Sequence, residues 1–397
     1  MVGKLFFQPG ELVLRNSLHC GQSFRWVIQE HTGFFYSTLK LDDSYDLVML
    51  RQLDDNCIEY DCYKRANLEK LESHLKDYFE LDVSLNNLMT QWSDADPKGF
   101  QNKEHRGVRV LNQNPWETLC SFICSSNNNI SRITKMCHSL ATEFGDEIAE
   151  FDGAKQYSFP SSDQIVERAS EEKLRDLGFG YRAKYIIGTA QLMSMEKGDM
   201  SDSEYMLSWR IKGKMGYQDV KEKLMAYPGV GPKVADCVLL MGGLGFDEVV
   251  PVDVHIARIA SRDYKLNNTK QEISELQAEY KKLPITRKKV NYELDMYRRK
   301  LQDLWGPYAG WAQCVLFAQE IGKTVGASTS DKLVKRRKLD YDASGEEEDF
   351  KVVVKDEAEI STEDSLSTVK IEDTMSIEYS ITGRPLRRAV KKAKKVY

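Results

Sequence analysis

Tyr227-Pro228-Gly229-Val230-Gly231-Pro232-Lys233-Val234-Ala235-Asp236-Cys237, followed by Val250-Pro251-Val252-Asp253-Val254-His255, decides the reading of this chain. Gly229 and Gly231 bracket a tight turn between two apolar-patterned segments of helical spacing. Both glycines admit φ > 0 and let the backbone approach a ligand closely. Pro232 suits the first helical position, where its missing N–H is not needed. The free N–H groups of such a helix start attract anions, so the turn can grip a phosphate. That grip would be independent of base sequence. The turn alone equally describes an αα-hairpin with no ligand.

Lys233 adds chemistry to the turn. It falls in the first helical turn, where the dipole disfavours an ammonium, so a lowered pKa is expected, as a nucleophilic amine requires. Cys237 follows four residues later on the same face and is a candidate for a coupled proton pair. Read separately, the two are a phosphate contact and a small core residue. Asp253 precedes the helical pattern Val254–Ala260 and suits an N-cap. Capping explains it without catalysis, but a cap carboxylate is also rigidly held and can balance positive charge. A phosphate grip, a lysine nucleophile and a fixed carboxylate together suggest covalent chemistry on a nucleic-acid sugar.

Working outward, the 397 residues allow two or three domains. The first, 1–112, reads as α+β. Phe24–Ile28, Phe34–Leu39, Tyr45–Leu53 and Cys57–Tyr60 are short aromatic and β-branched runs, which predict an antiparallel sheet. A helical segment is expected near Leu68–Phe79. The second, 113–325, is mostly helical in periodicity. Ser161-Ser162-Asp163 is a helix start and Gly178-Phe179-Gly180 a stop. Leu266–Lys300 is charge-rich and reads as a surface insertion or solvated helix.

The third part, 326–397, is a charged tail. Asp340 to Glu378 holds 14 acids against 3 lysines, a composition that predicts disorder. The basic clusters Lys335–Lys338 and Arg384–Lys395 flank it, as import signals, DNA-attracting tails or plain solvated charge. Val354-Lys355-Asp356-Glu357 and Val369-Lys370-Ile371-Glu372 fit a short pattern for small-modifier conjugation.

No apolar run is long enough to span a membrane, and no secretory signal follows Met1. Met1-Val2-Gly3-Lys4 is not an Arg-rich transit sequence. A nuclear location is expected, with a mitochondrial pool left open. The eight cysteines lack secreted-type regularity and read as reduced thiols. Their spacings fit neither a zinc finger nor an iron–sulfur loop. A net charge of −5 is unlike a nonspecific DNA-coating protein. DNA affinity must therefore come from a local basic face and backbone amides.

Gly229-Val230-Gly231 with Lys233 and Pro251-Val252-Asp253 resembles the helix-hairpin-helix glycosylase superfamily, and the lysine resembles that of its bifunctional members. Gly21-Gln22-Ser23-Phe24-Arg25-Trp26, Ser125-Ser126-Asn127-Asn128-Asn129-Ile130, Gly180-Tyr181-Arg182-Ala183 and Gly306-Pro307-Tyr308-Ala309-Gly310-Trp311-Ala312-Gln313 are similar to the eukaryotic 8-oxoguanine DNA glycosylase/AP lyase family. The similarity runs in order from about residue 3 to 322. Related adenine-excising and endonuclease-III-like enzymes usually carry four clustered cysteines after the aspartate. Here only Cys314 follows Asp253.

The resemblance implies an N-terminal sheet domain like that of TATA-binding protein, a helical catalytic domain, and excision of 8-oxoguanine opposite cytosine. Lys233 would attack the sugar and Asp253 would stabilise its charge. Gly21 would present a carbonyl to N7–H of the oxidised base, Phe317 and Cys237 would sandwich the ring, and Gln313 would bond its pairing edge. A Lys233⁺/Cys237⁻ dipole would add to the preference. Asn127 would fill the vacated space, Tyr181 would wedge the stack, Arg132 and Arg182 would read the orphaned cytosine, and His255 would touch a phosphate. No cofactor is implied beyond a structural cation on the carbonyls of Met225, Tyr227 and Val230. The expected partners are damaged duplex DNA, a downstream AP endonuclease and a modifier on the tail, with the protein a monomer. The rivals are excision of another base by the same fold and a noncatalytic DNA-binding scaffold. A scaffold has no need of Lys233 and Asp253 together.

Overall fold

The computed structural model describes residues 2–42, 44–100, 106–210, 215–281 and 291–321. The expectations for the 326–397 tail lie outside the described residues.

Five antiparallel strands, β1 (Gly3–Phe6), β2 (Val27–Gln29), β3 (Phe34–Leu41), β4 (Ser44–Gln52) and β5 (Cys57–Cys62), form one sheet in the order β1-β5-β4-β3-β2. Its core includes Phe35, Leu50 and Ile58, on which the helix Leu68–Tyr78 packs Leu71, Leu75 and Tyr78. These helix positions recur at the spacing of one face. The expected strand at Phe24–Ile28 begins only at Val27. Phe24 and Trp26 are core residues, and the Arg25 guanidinium bonds Glu117 and Thr38 across the fold. This short stretch therefore joins the sheet to the helices.

The helical part is built around the almost wholly buried helix Pro115–Ser125. Asn114 caps it, taking N–H bonds from Trp116 and Glu117, and Pro115 stands at its first position. The helix Pro232–Met241 packs against it. The expected start at Ser161 is a full capping box with Gln164. Gly178 at φ +87° provides the expected stop.

Residues 266–300 depart from the solvated reading. Helices Lys270–Tyr280 and Tyr292–Trp305 pack together, and Leu276, Tyr280, Asp295, Arg298 and Leu301 are buried. Only their outer faces carry the solvated charge. A last helix covers 309–321.

Candidate active site

The predicted hairpin joins helix Tyr217–Ala226 to helix Pro232–Met241. Gly229 has φ +79°, and a Cβ there would lie 2.7 Å from Tyr185. Gly231 does not use the positive φ open to it and is the N-cap in extended backbone, φ −101° and ψ 179°. A Cβ on Gly231 would meet nothing within 4 Å. No side chain caps this helix start, which leaves its first N–H groups for a ligand or water.

Lys233 is half-buried, with Nζ 5.0 Å from the centroid of the Phe122 ring. Cys237 is buried and hydrogen-bonded to Lys233. Asp253 caps the helix Val254–Arg262, as the sequence predicts. Its Oδ1 accepts the N–H groups of His255 at 2.9 Å and Ile256 at 3.1 Å. Lys233, Cys237, Asp253, Gly21, Gln313 and Phe317 line one pocket. Gln313 and Phe317 come from the 309–321 helix.

Gly21 needs to be glycine twice over. Its φ is +84°, and a Cβ would lie 3.1 Å from Ile130 Cδ1 and 3.4 Å from Phe317 Cε1. Its loop is fixed by its neighbour. Gln22 Nε2 donates to the carbonyls of Ser17 at 2.8 Å and Arg109 at 2.7 Å, and Gln22 Oε1 accepts the Leu111 N–H at 3.1 Å. With a further contact to Cys20 Sγ at 3.3 Å, these main-chain bonds fix the Gln22 amide and with it the loop that carries Gly21.

The protonation states differ from the expectation. Burial by itself would lower the Lys233 pKa, but Cys237, Asp253 and Asp236 outweigh it and raise the value. Burial pushes the Cys237 thiol up to about 11, despite the ammonium beside it. The resting pair at neutral pH is therefore an ammonium and a thiol. The anticipated lowered lysine is overturned, and a standing Lys233⁺/Cys237⁻ dipole is disfavoured.

A second cluster gathers Asn127, Arg132, Tyr181 and Arg182. Asn127 is exposed, with φ +51°, between helices Pro115–Ser125 and Ile130–Phe144. The Tyr181 hydroxyl donates to the Ser126 carbonyl at 2.8 Å. Arg182 Nη2 donates to the carbonyls of Ser126 and, at 3.0 Å, Asn127, and its guanidinium lies 4.5 Å from the Tyr181 ring centroid. Arg132 Nη2 donates to the Gly178 carbonyl at 2.9 Å. Both arginines thus brace the loops, using some of the donors expected for a base. The His255 ring meets Phe317 edge-on at 5.9 Å, and its buried Nδ1 has no hydrogen-bond partner among the described residues.

At the hairpin the Tyr227 carbonyl takes the Val230 N–H at 3.2 Å, which closes the turn. Among the described residues no group of three or more His, Cys, Asp or Glu side chains is placed to hold a metal ion.

Residues 4–119 match the 8-oxoguanine DNA glycosylase N-terminal domain, and residues 120–283 match the HhH-GPD superfamily of base excision DNA repair proteins. The N-glycosylase/DNA lyase of Saccharomyces cerevisiae is 50% identical, over 84% of this chain and 90% of its own length. The chain belongs to the eukaryotic 8-oxoguanine DNA glycosylase family. The N-glycosylase/DNA lyase OGG1 of Arabidopsis thaliana is 36% identical over 78% of each chain. The solved structure of MBOgg1 with a low-affinity DNA ligand aligns at TM-score 0.65 and 27% identity, over 81% of this chain and 96% of that one. The 8-oxoguanine glycosylase/lyase of Clostridium acetobutylicum shares the fold at TM-score 0.62 and 24% identity, over 82% of this chain and 98% of that one.

Some residues of this glycosylase site carry no sequence signal. Phe122, under the lysine, is one apolar position in a helix that is buried on every side. Cys20 and Cys314 line the pocket but belong to no cysteine pattern. Tyr185, against Gly229, could be found only from the fold.

Proposed function

We propose that this 8-oxoguanine DNA glycosylase, which carries AP lyase activity, excises the oxidised base opposite cytosine in duplex DNA. It then cleaves the abasic strand by β-elimination through a Schiff base on Lys233. The observation that carries this reading is the single pocket shared by Lys233, Asp253, Cys237, Gly21, Gln313 and Phe317.

The target nucleotide leaves the stack at a cost of a few kcal/mol. Asn127 and Tyr181 fill and wedge the gap, and Arg132 and Arg182 turn their remaining donors to the acceptors of cytosine. The uncapped N–H groups after Gly231 hold a phosphate, with His255 as a second contact. In the pocket the Gly21 carbonyl accepts N7–H of the oxidised base but faces a lone pair on guanine. An unmatched polar contact of this kind is worth about 1–3 kcal/mol.

As the base leaves, Asp253 stabilises the oxocarbenium-like sugar. Lys233 starts as an ammonium, so its proton must go before attack. The departing base, which takes the glycosidic electron pair, is the acceptor. Nζ then bonds C1′, the sugar ring opens, and the imine forms. Loss of a C2′ proton expels the 3′ phosphate.

This chemistry requires no cofactor. The carbonyls of Met225, Tyr227 and Val230 are neutral oxygen donors, the kind a hard cation takes, and an ion there would stiffen the phosphate grip. We further propose that the protein works as a monomer in the nucleus and passes its nicked product to an AP endonuclease. Lys355 and Lys370 are the proposed modifier sites.

The test offers duplexes with 8-oxoguanine opposite each of the four bases, in the presence of borohydride, to the protein and to Lys233→Gln. A covalent adduct that prefers cytosine and is absent with Lys233→Gln is the expected result. DNA binding with no adduct on any duplex would overturn the Schiff-base reading.

A further inference from the structure

Behind the nucleophile's helix lies a buried polar cluster that the proposed reaction leaves unused. Asp236 is 4% exposed and Lys221 6%. Lys221 Nζ donates to both Asp236 oxygens, at 2.9 and 3.1 Å. The Tyr217 hydroxyl donates to Asp236 Oδ1 at 2.9 Å and accepts from Lys221 Nζ at 2.6 Å. Arg298 lies 5.0 Å from the Tyr217 ring centroid, and its Nε donates to Asp295 Oδ1 at 2.8 Å. Two cations and two carboxylates thus offset one another inside the core.

Stability alone is a poor account of this cluster, because apolar side chains of similar volume often do as well as a buried ion pair. Its position suggests a different role. Asp236 is three residues from Lys233 on one helix, a spacing that puts Cβ atoms roughly 5–6 Å apart. It is turned about 60° around the axis from Lys233, so it faces the hairpin's first helix while Lys233 faces the pocket. At that range, in a partly dry interior, a bare carboxylate would hold a proton on Lys233 strongly. Asp236 is one of the groups that raise the Lys233 pKa.

We propose that Lys221, by neutralising Asp236, tunes Lys233 as the nucleophile, which makes the Lys221–Asp236 pair a positioning pair for the imine-forming step. The inference rests on the Schiff-base reading above. The other groups facing Lys233 are Cys237 on its own helix, Asp253 at the start of the next helix, and Cys20 and Cys314 across the pocket. Burial holds the thiols of Cys20, Cys237 and Cys314 well above neutral pH. Asp236 itself faces Lys221, Tyr217 and Arg298.

The test is the pH dependence of single-turnover cyanoborohydride trapping on a duplex with one abasic site, where no departing base takes the Lys233 proton. Lys221→Met strands the Asp236 charge, so its midpoint should move up by on the order of one pH unit. Below the midpoint the trapping rate then falls about tenfold. Asp236→Asn should move the midpoint down. Lys221→Arg and the double variant Lys221→Met/Asp236→Asn should keep the unaltered midpoint. Lys221→Gln removes the charge but keeps a donor to Asp236, and it carries the same expectation as Lys221→Met should that variant fold poorly. A merely structural pair would lower the amplitude at every pH and leave the midpoint where it was. Coincident midpoints in variants that still bind DNA would overturn this inference alone. No adduct from the unaltered protein would overturn the Schiff-base reading and this inference with it.

Discussion

Arg25 grips Glu117 with two parallel hydrogen bonds, Nε to Oε1 at 2.7 Å and Nη2 to Oε2 at 2.8 Å. The same guanidinium donates to Thr38 Oγ1 at 2.7 Å and to the Thr38 carbonyl at 2.8 Å. One side chain therefore ties strand β3, the Gly21 loop and the helix that supports Lys233. Removing one partner of a buried pair strands the other charge. Arg25→Met should destabilise the fold by about 3–5 kcal/mol. Arg25→Lys, which cannot form the fork, should recover only part of that. Urea unfolding followed by tryptophan fluorescence reads both variants. Loss of less than about 1 kcal/mol in Arg25→Met would show that the tie is not a main support of the pocket.

Gly21 and Gly33 separate backbone strain from occupied space. Both have φ > 0, at +84° and +74°. A Cβ on Gly33 meets nothing within 4 Å, whereas one on Gly21 presses on Ile130 and Phe317. Ala at either position should cost about 1 kcal/mol through its backbone. Excision of 8-oxoguanine should fall only in Gly21→Ala, because only there does the methyl enter the base pocket. Equal excision by the two alanine variants, measured under single-turnover conditions, would remove Gly21 from the recognition scheme.

The parts of this site that were legible in the sequence are those set by local rules. Asp253 before Val254-His255-Ile256 is an N-cap because capping involves only residues within one turn. The Ser161 box and the Lys233–Cys237 spacing are local in the same sense. The direction of the Lys233 pKa was not legible. The helix dipole argued one way, while Cys237, Asp253 from the next helix and Asp236 raise the value against burial. Gln22 and Arg25 could be quoted as a motif but given no role, since their partners Arg109 and Glu117 lie about ninety residues away. The buried faces of 266–300 were hidden for a related reason. Asp295 and Arg298 look like surface charge until Tyr217 and Tyr280 are placed over them.

Asp253 joins two roles that substitution can split. Asn is as good an N-cap as Asp, so Asp253→Asn should change stability by only a few tenths of a kcal/mol. Asp253→Ala loses the bonds to His255 and Ile256 and should cost about 1 kcal/mol. Both remove the charge, so both should lower the single-turnover excision rate by about 100-fold or more. Thermal melts beside excision kinetics make the comparison. Full activity in Asp253→Asn would leave the residue a cap and nothing more.

Glu80 gives a pH dependence remote from the reaction. Burial and then the charge of Asp247 push its carboxyl up to about 7, against a pull from Arg109. The ordinary value is 4.5. The folded protein therefore holds this proton more tightly than the unfolded chain does. The stability linked to it is fully present below about pH 4.5 and is lost as pH rises toward and through 7. Glu80 is half-buried, so solvent reduces the effect, and the loss should be about 1–2 kcal/mol. Glu80→Gln mimics the protonated form. It should match the unaltered protein near pH 4.5 and exceed it by that amount at pH 8, in urea unfolding at the two pH values. A Gln variant with the same stability difference at both pH values would mean that Glu80 titrates normally and that the Asp247 charge does not reach it.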